Sequence, residues 1–321
     1  MIRRKVSRRN ALTRTGLLVG ATALGQKLFE AKGAAQPQGQ QPERPFLFSL
    51  NMATLRGQKL GIVKEVETAA KAGYDAIEPW VDTLEEYARG GGSLKDLGQR
   101  IRDAGLTVEG AIAFTEWMVD DDARRANGME RVRREMDLVA QIGGKRFAAP
   151  PAGATNLPKI ELTVAAQRYR ALLEAGDQAG LTVELELWGF SKNLNHLGEC
   201  VGVAMETGHP KACVLADVFH LYKGGSDYHG MRLLGAGAIQ VLHMNDYPSD
   251  PPRDKIDDSY RQYPGDGTAP LVDILRALHQ TGGQKVLSLE LFNRKLWAGD
   301  PLEVAKTGLA KMKAVAEKAA A

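Results

Sequence analysis

The feature of this chain that most limits its fold is a regular alternation of short apolar runs with helical patterns from residue 46 onward. Eight runs have the length and composition of buried strands: Phe46–Leu50, Ala76–Glu78, Thr107–Ala113, Lys145–Ala148, Thr182–Leu187, Cys213–Asp217, Ile239–Asn245 and Val286–Leu291. Helical spacing of apolar residues lies between them, as in Ile62–Ala72, Met129–Ile142, Tyr169–Ala179 and Leu271–Gln280. This alternation predicts a parallel sheet with helical crossovers.

Glycines mark where several predicted helices end and the next strand begins: Gly73, Gly105, Gly143, Gly180 and Gly282. Eight βα units of one hand close a barrel, so we predict a single (β/α)8 TIM barrel over residues 46–321. The alternative is an open, doubly wound sheet. Such a sheet would normally carry a glycine-rich phosphate turn after its first strand, whereas residues 51–54 read Asn-Met-Ala-Thr.

The N-terminal segment resembles an export signal. Residues 7–12, Ser-Arg-Arg-Asn-Ala-Leu, match the twin-arginine pattern, an apolar run follows at 17–24, and small residues at 33–35 suit a cleavage site. We therefore predict a signal peptide over 1–35, a polar Pro-rich linker over 36–45 and a periplasmic barrel. A basic extension without an export role is the alternative. No other segment approaches the roughly 18 apolar residues that span a bilayer, so no membrane association is expected after leader removal.

The charge balance of the barrel differs from that of the whole chain. The formal net charge is +3, but the first 35 residues hold eight Lys/Arg and one acid, which leaves 34 basic and 38 acidic residues. Because nucleic-acid binding needs a basic patch on the folded domain, we expect no nucleic-acid partner. The two cysteines, Cys200 and Cys213, could pair in an oxidising compartment. Since Cys213 lies in an apolar strand pattern, we expect two buried free thiols instead.

Charged residues end several predicted strands, which is where the active residues of a barrel lie: Glu78, Glu186, Asp217, His243 and Glu290. Burying one unpaired carboxylate is costly, and burying several requires a counter-ion or shared protons. Three carboxylates and one imidazole from successive strands suit Mn²⁺, Mg²⁺, Co²⁺ or Zn²⁺. We therefore predict one divalent metal bound by Glu186, Asp217, His243 and Glu290.

Each of these residues also has a simpler interpretation. Glu184 lies two residues before Glu186 on the same strand face and is its rival as a ligand. Asp217 could cap the following helix, His243 could be a buried core histidine, and Glu290 could pair with a lysine. Their joint placement at the ends of strands five to eight favours the metal site.

The strand-end segments together resemble the xylose-isomerase-like barrel superfamily, over roughly residues 46–315. Its members include sugar isomerases, ketose 3-epimerases, hydroxypyruvate isomerases, inosose dehydratases and endonuclease IV-type nucleases. The segments that carry the resemblance are Gly73–Glu78, Glu186–Trp188, Asp217–His220, His243–Asp246, Gly265–Gly267 and Ser288–Glu290. The nucleases use more histidines than the six in this chain, so we do not expect nuclease activity.

The resemblance to the isomerases and epimerases implies a role for each residue. Glu186 and Glu290 would bind the metal and also exchange a proton on opposite faces of a substrate carbon. Asp217 and His243 would chiefly hold the ion, and His220 would hydrogen-bond a substrate oxygen. A metal on adjacent oxygens of a hydroxy-ketone would stabilise the enediolate formed when a carbon proton leaves.

Several side chains are expected to contact the substrate: Glu78, Phe114, Trp117, Trp188, His220 and Arg253. Aromatic faces suit the apolar side of a sugar ring, although packing at the barrel rim is the alternative for some of them. Asn245 stands where several members of the superfamily carry a lysine, and no basic cluster is present. We therefore expect an unphosphorylated sugar or a small hydroxy-keto compound as the substrate.

Three functions follow from these features. The first is a metal-dependent isomerase or epimerase, for which we expect a homodimer or a tetramer. The second is a lyase that uses the same enolisation to expel a leaving group from a 3-keto-glycoside or a keto-cyclitol. The third is a carbohydrate-binding barrel without turnover, against which the retention of both acidic residues, Glu186 and Glu290, argues.

Overall fold

The computed structural model describes residues 44–320. The predicted signal peptide and most of the predicted linker lie outside the described residues. Across residues 44–320, no helix combines the length and apolarity needed to cross a membrane. Cys200 and Cys213 are both buried free thiols, as expected.

Eight parallel strands form one sheet in the order β3-β2-β1-β8-β7-β6-β5-β4. Their bounds are Phe46–Asn51 (β1), Ala76–Glu78 (β2), Thr107–Val108 (β3), Arg146–Ala149 (β4), Thr182–Glu186 (β5), Cys213–Asp217 (β6), Val241–Met244 (β7) and Lys285–Leu289 (β8). The outer strands β3 and β4 meet through a bridge between Val108 and Gly144, and the Lys145 N–H donates to the Val108 carbonyl at 3.1 Å. The sheet therefore closes on itself, which confirms the predicted (β/α)8 barrel.

Helices connect the strands. In the described part of the chain they are Ile62–Ala72 (α1), Val81–Arg89 (α2), Leu94–Asp103 (α3), Asp122–Gln141 (α4), Leu162–Ala179 (α5), Leu197–Glu206 (α6), Val218–Gly224 (α7), Leu271–Gln280 (α8), Arg294–Trp297 (α9) and Pro301–Ala320 (α10). Short 3₁₀ segments occur at Met52–Gln58, Tyr228–Leu233 and Asp258–Tyr260. Gly73 ends α1 at φ 90° and Gly180 ends α5 at φ 74°, so both adopt the left-handed conformation that the sequence predicts there.

Strand β3, Thr107–Val108, is shorter than the predicted strand Thr107–Ala113. After Val108 the chain passes through Gly110, where an added Cβ would lie 2.5 Å from Glu78 Oε1. The backbone at Gly110 therefore packs directly against a buried side chain of β2. A separate bridge from Ile112 to Trp80 resumes the contact beyond this point.

The strand register brings the predicted site residues to one rim of the barrel. Asp217 on β6 lies opposite His243 on β7, and His243 lies opposite Ser288 on β8. Asn51 on β1 lies opposite Glu78 on β2. Polar side chains from neighbouring strands therefore meet at the carboxyl ends, where barrel active sites form.

Candidate active site

Three of the four predicted metal ligands converge at the carboxyl ends of the strands. Asp217, His243 and Glu290 are buried, and each offers one ligand atom within 4.8 Å of the other two. His243 Nδ1 lies 3.1 Å from Glu290 Oε2 and 3.7 Å from Asp217 Oδ2, yet it forms no hydrogen bond within residues 44–320. A buried imidazole nitrogen without a hydrogen-bond partner, with two carboxylate oxygens close to it, fits a divalent metal.

The other ring nitrogen of His243 is held from behind. Its Nε2 lies 3.0 Å from Glu78 Oε2, which also accepts hydrogen bonds from Asn51 Nδ2 at 2.8 Å and Ser288 Oγ at 2.7 Å. Burial would raise the pKa of Glu78, but His243 and Ser288 outweigh it and lower the pKa. This carboxylate orients the ring so that Nδ1 faces the site. Glu78 thus lies behind His243, and the structure does not place it at the predicted substrate surface.

Asp217 accepts hydrogen bonds on both of its carboxylate oxygens. Its Oδ1 accepts from the His220 backbone N–H at 2.8 Å and so caps α7. Its Oδ2 accepts from Asn245 Nδ2 at 3.1 Å and faces the cluster. Helix capping and the metal site, which the sequence presents as alternatives for Asp217, are therefore compatible.

Glu186 ends β5 and lines the cavity beside this cluster, although its ligand atoms lie outside the group of three. Trp188 Nε1 donates to Glu186 Oε1 at 3.0 Å, while Oε2 has no hydrogen-bond partner among the described residues. Burial raises the pKa of Glu186 to about 8. The rival Glu184 lies one interior layer deeper, 3.7 Å from Arg146 Nε, and does not line the cavity.

Arg261 is a central residue that sequence reasoning missed. Only 1% of it is exposed, and its Nη1 donates to Asp217 Oδ2 at 2.7 Å and to Glu290 Oε2 at 2.8 Å. Its Nη2 donates to Asp258 Oδ1 at 2.6 Å and lies 3.2 Å from His220 Nε2. A guanidinium has only donors, so His220 Nε2 accepts and the proton of this ring resides on Nδ1. Burial lowers the pKa of His220, which keeps the ring neutral.

Glu290 and Glu186 differ in charge because their neighbours differ. Burial would raise the pKa of Glu290, but His243 and Arg261 outweigh it and lower the pKa. For His243, burial would lower the pKa, but Glu290 and Glu78 raise it well above its usual range. In the metal-free protein Glu290 is therefore ionised, whereas Glu186 retains its proton near neutral pH.

The predicted arginine, Arg253, does not reach the cavity. After β7, Asp246 and Gln262 exchange backbone hydrogen bonds of 3.0 and 2.8 Å. This pairing turns the loop back and brings Arg261 beside the strand end, while Arg253 stays exposed. The segment Gly265–Gly267 was the one sequence feature that pointed to this loop. Asp246 Oδ2 accepts hydrogen bonds from the N–H groups of Gly265 and Gly267, and these bonds anchor the end of the loop.

The cavity has a volume of about 210 Å³ and an aromatic wall. It is lined by Trp80, Ile112, Phe114, Glu186, Trp188, Phe190, His220, Asp258, Arg261, Glu290 and Phe292. The rings of Phe114 and Trp188 are 6.0 Å apart, and Trp188 and Phe190 are 5.2 Å apart. The predicted substrate residues Phe114, Trp188 and His220 are thus brought together. Phe190 and Asp258 are wall residues that the sequence analysis did not single out.

Trp117 lies away from this cavity. It is fully buried, its Nε1 donates to the Pro150 carbonyl at 2.7 Å, and its ring packs 6.2 Å from that of Tyr169. The loop after β3 therefore turns this side chain toward α5. Trp117 packs between secondary-structure elements, which was the alternative interpretation of the aromatic residues.

Comparison with known proteins agrees with this architecture. Residues 66–315 match the sequence profile of a family described as the xylose isomerase-like TIM barrel. A 3-dehydroshikimate dehydratase of Pseudomonas putida is 25% identical over 249 residues, which are 77% of this chain but only 38% of that longer protein. An inosose isomerase of Bacillus velezensis is 25% identical over 260 residues, 79% of this chain and 92% of that protein. A crystal structure of the IolI protein with a bound zinc atom has a TM-score of 0.79 at 22% identity, covering 85% of this chain and 98% of that one.

Proposed function

This chain belongs to the xylose isomerase-like TIM barrel family, and on that premise we propose that it is a divalent-metal-dependent isomerase or epimerase. Its substrate is an unphosphorylated sugar or a small hydroxy-keto compound. The observation that carries the proposal is the buried cluster of Asp217, His243 and Glu290 beside Glu186 in one aromatic-walled cavity. The name of the inosose isomerase supports the reaction class, and the zinc atom of the IolI structure supports the metal.

Two carboxyl groups that line the cavity, Glu186 and Glu290, supply the proton transfer. A divalent metal, when bound by Asp217, His243, Glu290 and Glu186, stabilises negative charge on adjacent oxygens of a hydroxy-ketone. Glu290, paired with Arg261 Nη1 at 2.8 Å, accepts the proton from the carbon next to the carbonyl. Glu186 returns a proton to the opposite face, which inverts that carbon. If the proton goes to the neighbouring carbon instead, and the hydroxyl proton passes to the former carbonyl oxygen, the carbonyl moves by one carbon.

The remaining cavity residues bind the substrate and limit its type. The aromatic wall takes the apolar face of a sugar and excludes water from the reacting carbon. Arg261 is the one cation among the lining residues of the described chain, and Asp217, Glu290 and Asp258 already neutralise it. The described side chains that line this cavity therefore offer no unpaired positive charge to a phosphate group, in agreement with an unphosphorylated substrate.

Deuterium exchange tests the proposed reaction. Metal-loaded protein incubated with ketoses in D₂O should introduce deuterium at the carbon beside the carbonyl. Glu290→Gln should slow this exchange at least about 100-fold, because the proton acceptor is lost, while ligand affinity changes only several-fold. Exchange that persists in Glu290→Gln would show that the base is wrongly assigned. A wild-type protein that binds sugars without exchanging any proton would be a carbohydrate-binding barrel.

A lyase is the second candidate, favoured by the similarity to a 3-dehydroshikimate dehydratase. The same proton abstraction, followed by departure of a group β to the carbonyl, would release an aglycone from a 3-keto-glycoside or water from a keto-cyclitol. Incubation with 3-keto-glucosides in D₂O separates the two reactions. Deuterium incorporation without release of the aglycone would argue against the lyase.

We further propose that the protein is exported to the periplasm by the twin-arginine route, on the basis of Arg8 and Arg9 in the leader sequence. Replacing both arginines with lysine should retain the protein in the cytoplasm of a host with this pathway. Unchanged export of the double variant, measured by cell fractionation, would reject this route.

A further inference from the structure

A second cavity of about 280 Å³ adjoins the active-site cavity. The two cavities share Phe190 and Asp258 as wall residues. The residues that line only the second one are Phe219, Lys223, Lys255, Ile256 and Asp257. We call this second cavity the outer compartment. Its walls combine the exposed ring of Phe190 with Lys255 and Asp257 at the surface, a combination that suits a ring with one apolar face and polar substituents.

The outer wall of this compartment is fixed by three hydrogen bonds from one lysine. Lys223 Nζ donates to the backbone carbonyls of Arg253 at 2.9 Å, Asp254 at 3.0 Å and Ile256 at 2.8 Å. All three donors of the ammonium group are thereby used on one short stretch of backbone. The Ile256 side chain is buried as well. The loop segment 253–256 is therefore tied to α7 and forms a defined wall.

Phe190 is held where the two cavities meet. It leaves 42% of its surface exposed, although it is a large apolar side chain. An added Cβ at the preceding Gly189 would lie 2.3 Å from the His220 carbonyl oxygen, so the chain there packs tightly on α7. The Phe190 ring lies 5.2 Å from Trp188 and 5.3 Å from His220. These contacts fix the ring in a position where it borders both cavities.

The active-site cavity, at about 210 Å³, is smaller than the roughly 300–1,000 Å³ typical of drug-sized ligand sites. It has room for one small ring, and the outer compartment has room for another. We propose that the substrate has two rings. It would be a keto-glycoside whose keto-sugar ring lies beside Glu186 and Glu290, and whose second ring occupies the outer compartment against the exposed ring of Phe190. This inference rests on the proposed function and defines its substrate class.

Filling the outer compartment tests the inference. Lys255 is exposed and lines that compartment only, so Lys255→Trp should occupy its space without touching the active-site cavity. Binding of phenyl 3-keto-glucoside to the metal-loaded variant should weaken at least about tenfold, a loss of about 1.4 kcal/mol, while binding of free 3-keto-glucose changes less than about twofold. Lys95→Trp, on the exposed face of α3, is the matched control and should leave both affinities unchanged.

The outcomes separate this inference from the proposed function. Equal binding of the phenyl glucoside and the free sugar to the wild type, or equal weakening of both by Lys255→Trp, would overturn the outer compartment as a binding site. Deuterium exchange on the free sugar would meanwhile leave the proposed function intact, and its absence would reject that function by itself. A 3-keto-disaccharide measured alongside shows whether the preferred second ring is aromatic or a sugar, and either preference supports a two-ring substrate.

Discussion

At the scale of single residues, Arg261 balances the charge of the candidate site. Its guanidinium contacts Asp217, Glu290 and Asp258, and it lies 1% exposed between them. Removing one partner of a buried ion pair leaves an uncompensated charge and typically costs about 3–5 kcal/mol. Arg261→Met should therefore lower the free energy of unfolding by about that amount, as measured by urea denaturation of the metal-free protein.

Arg253→Met is the matched control for this prediction. Arg253 is exposed and lies on the same loop, so its replacement should change the free energy of unfolding by less than about 0.5 kcal/mol. Similar losses in the two variants would show that the loop itself, and not the buried charge of Arg261, determines the stability.

Glu184 provides a residue-scale test of pH dependence. Burial raises its pKa from 4.5 to about 8, so the folded protein retains a proton that the unfolded chain releases above pH 4.5. The stability that depends on this proton is full below pH 4.5 and is lost as pH rises toward 8. Glu184→Gln cannot ionise, so its free energy of unfolding should fall less than that of the wild type between pH 5 and pH 8.

Each pKa unit corresponds to about 1.4 kcal/mol, so the two proteins should diverge by a few kcal/mol across this range. Glu130→Gln, on an exposed position of α4, should follow the wild type. Parallel pH profiles for Glu184→Gln and the wild type would mean that Glu184 is already ionised in the folded protein.

The charged residues at the strand ends predicted the metal site, because a charge rarely ends a buried apolar run without a function. Asp217, His243 and Glu290 lie close together because parallel strands bring their carboxyl ends to one rim of the barrel. Arg261 was beyond the reach of the same reasoning. Its position depends on where the long loop after β7 turns back. Backbone pairing of Asp246 with Gln262 sets that point, and no periodic pattern in the sequence predicts this pairing.

At the scale of elements, prediction succeeded where apolar periodicity runs through the whole helix. The bounds of α1 and α8 agree with the structure. The patterns starting at Met129 and Tyr169 recovered only the later parts of α4 and α5. The first turns of α4 are strongly polar and begin at an Asp121 cap, so they carry little apolar periodicity.

The loop after β5 gives an element-scale prediction. Gly189→Ala would place a Cβ 2.3 Å from the His220 carbonyl oxygen and 2.5 Å from the Gly224 nitrogen. Relieving that clash requires the segment bearing Trp188 and Phe190 to shift from α7, so both stability and turnover should fall. The expected loss in unfolding free energy is about 1–3 kcal/mol.

Gly202→Ala is the control, since Gly202 lies within α6 and an alanine there would bring the added Cβ within 4 Å of no neighbouring atom of residues 44–320. Alanine there should stabilise the protein by about 0.5–1 kcal/mol. A neutral Gly189→Ala would show that the β5 loop is not packed against α7 in solution.

At the scale of the whole molecule, the closed barrel separates an inner layer of buried polar residues from the residues at its rim. Its interior at the level of Glu184 and Glu78 is structural, and its rim carries the chemistry. The alternating pattern predicted this closure, because eight successive βα units leave few other arrangements. It did not predict the cavity walls, which come from loops such as the one after β5 that contains Phe190 and the one after β7 that contains Asp258. Loops follow local turns and packing, and they carry no long-range periodicity.

Titration of the metal-free protein with Zn²⁺ or Mn²⁺, followed by calorimetry, tests most directly the claim that Glu186, Asp217, His243 and Glu290 form one metal site. The wild type and Glu184→Gln should each bind one equivalent. Glu186→Gln and Asp217→Asn should bind at least about tenfold more weakly, since even residues that only support ligands contribute that much. A wild type without a stoichiometric site, or loss of binding in Glu184→Gln but not in Glu186→Gln, would contradict the account.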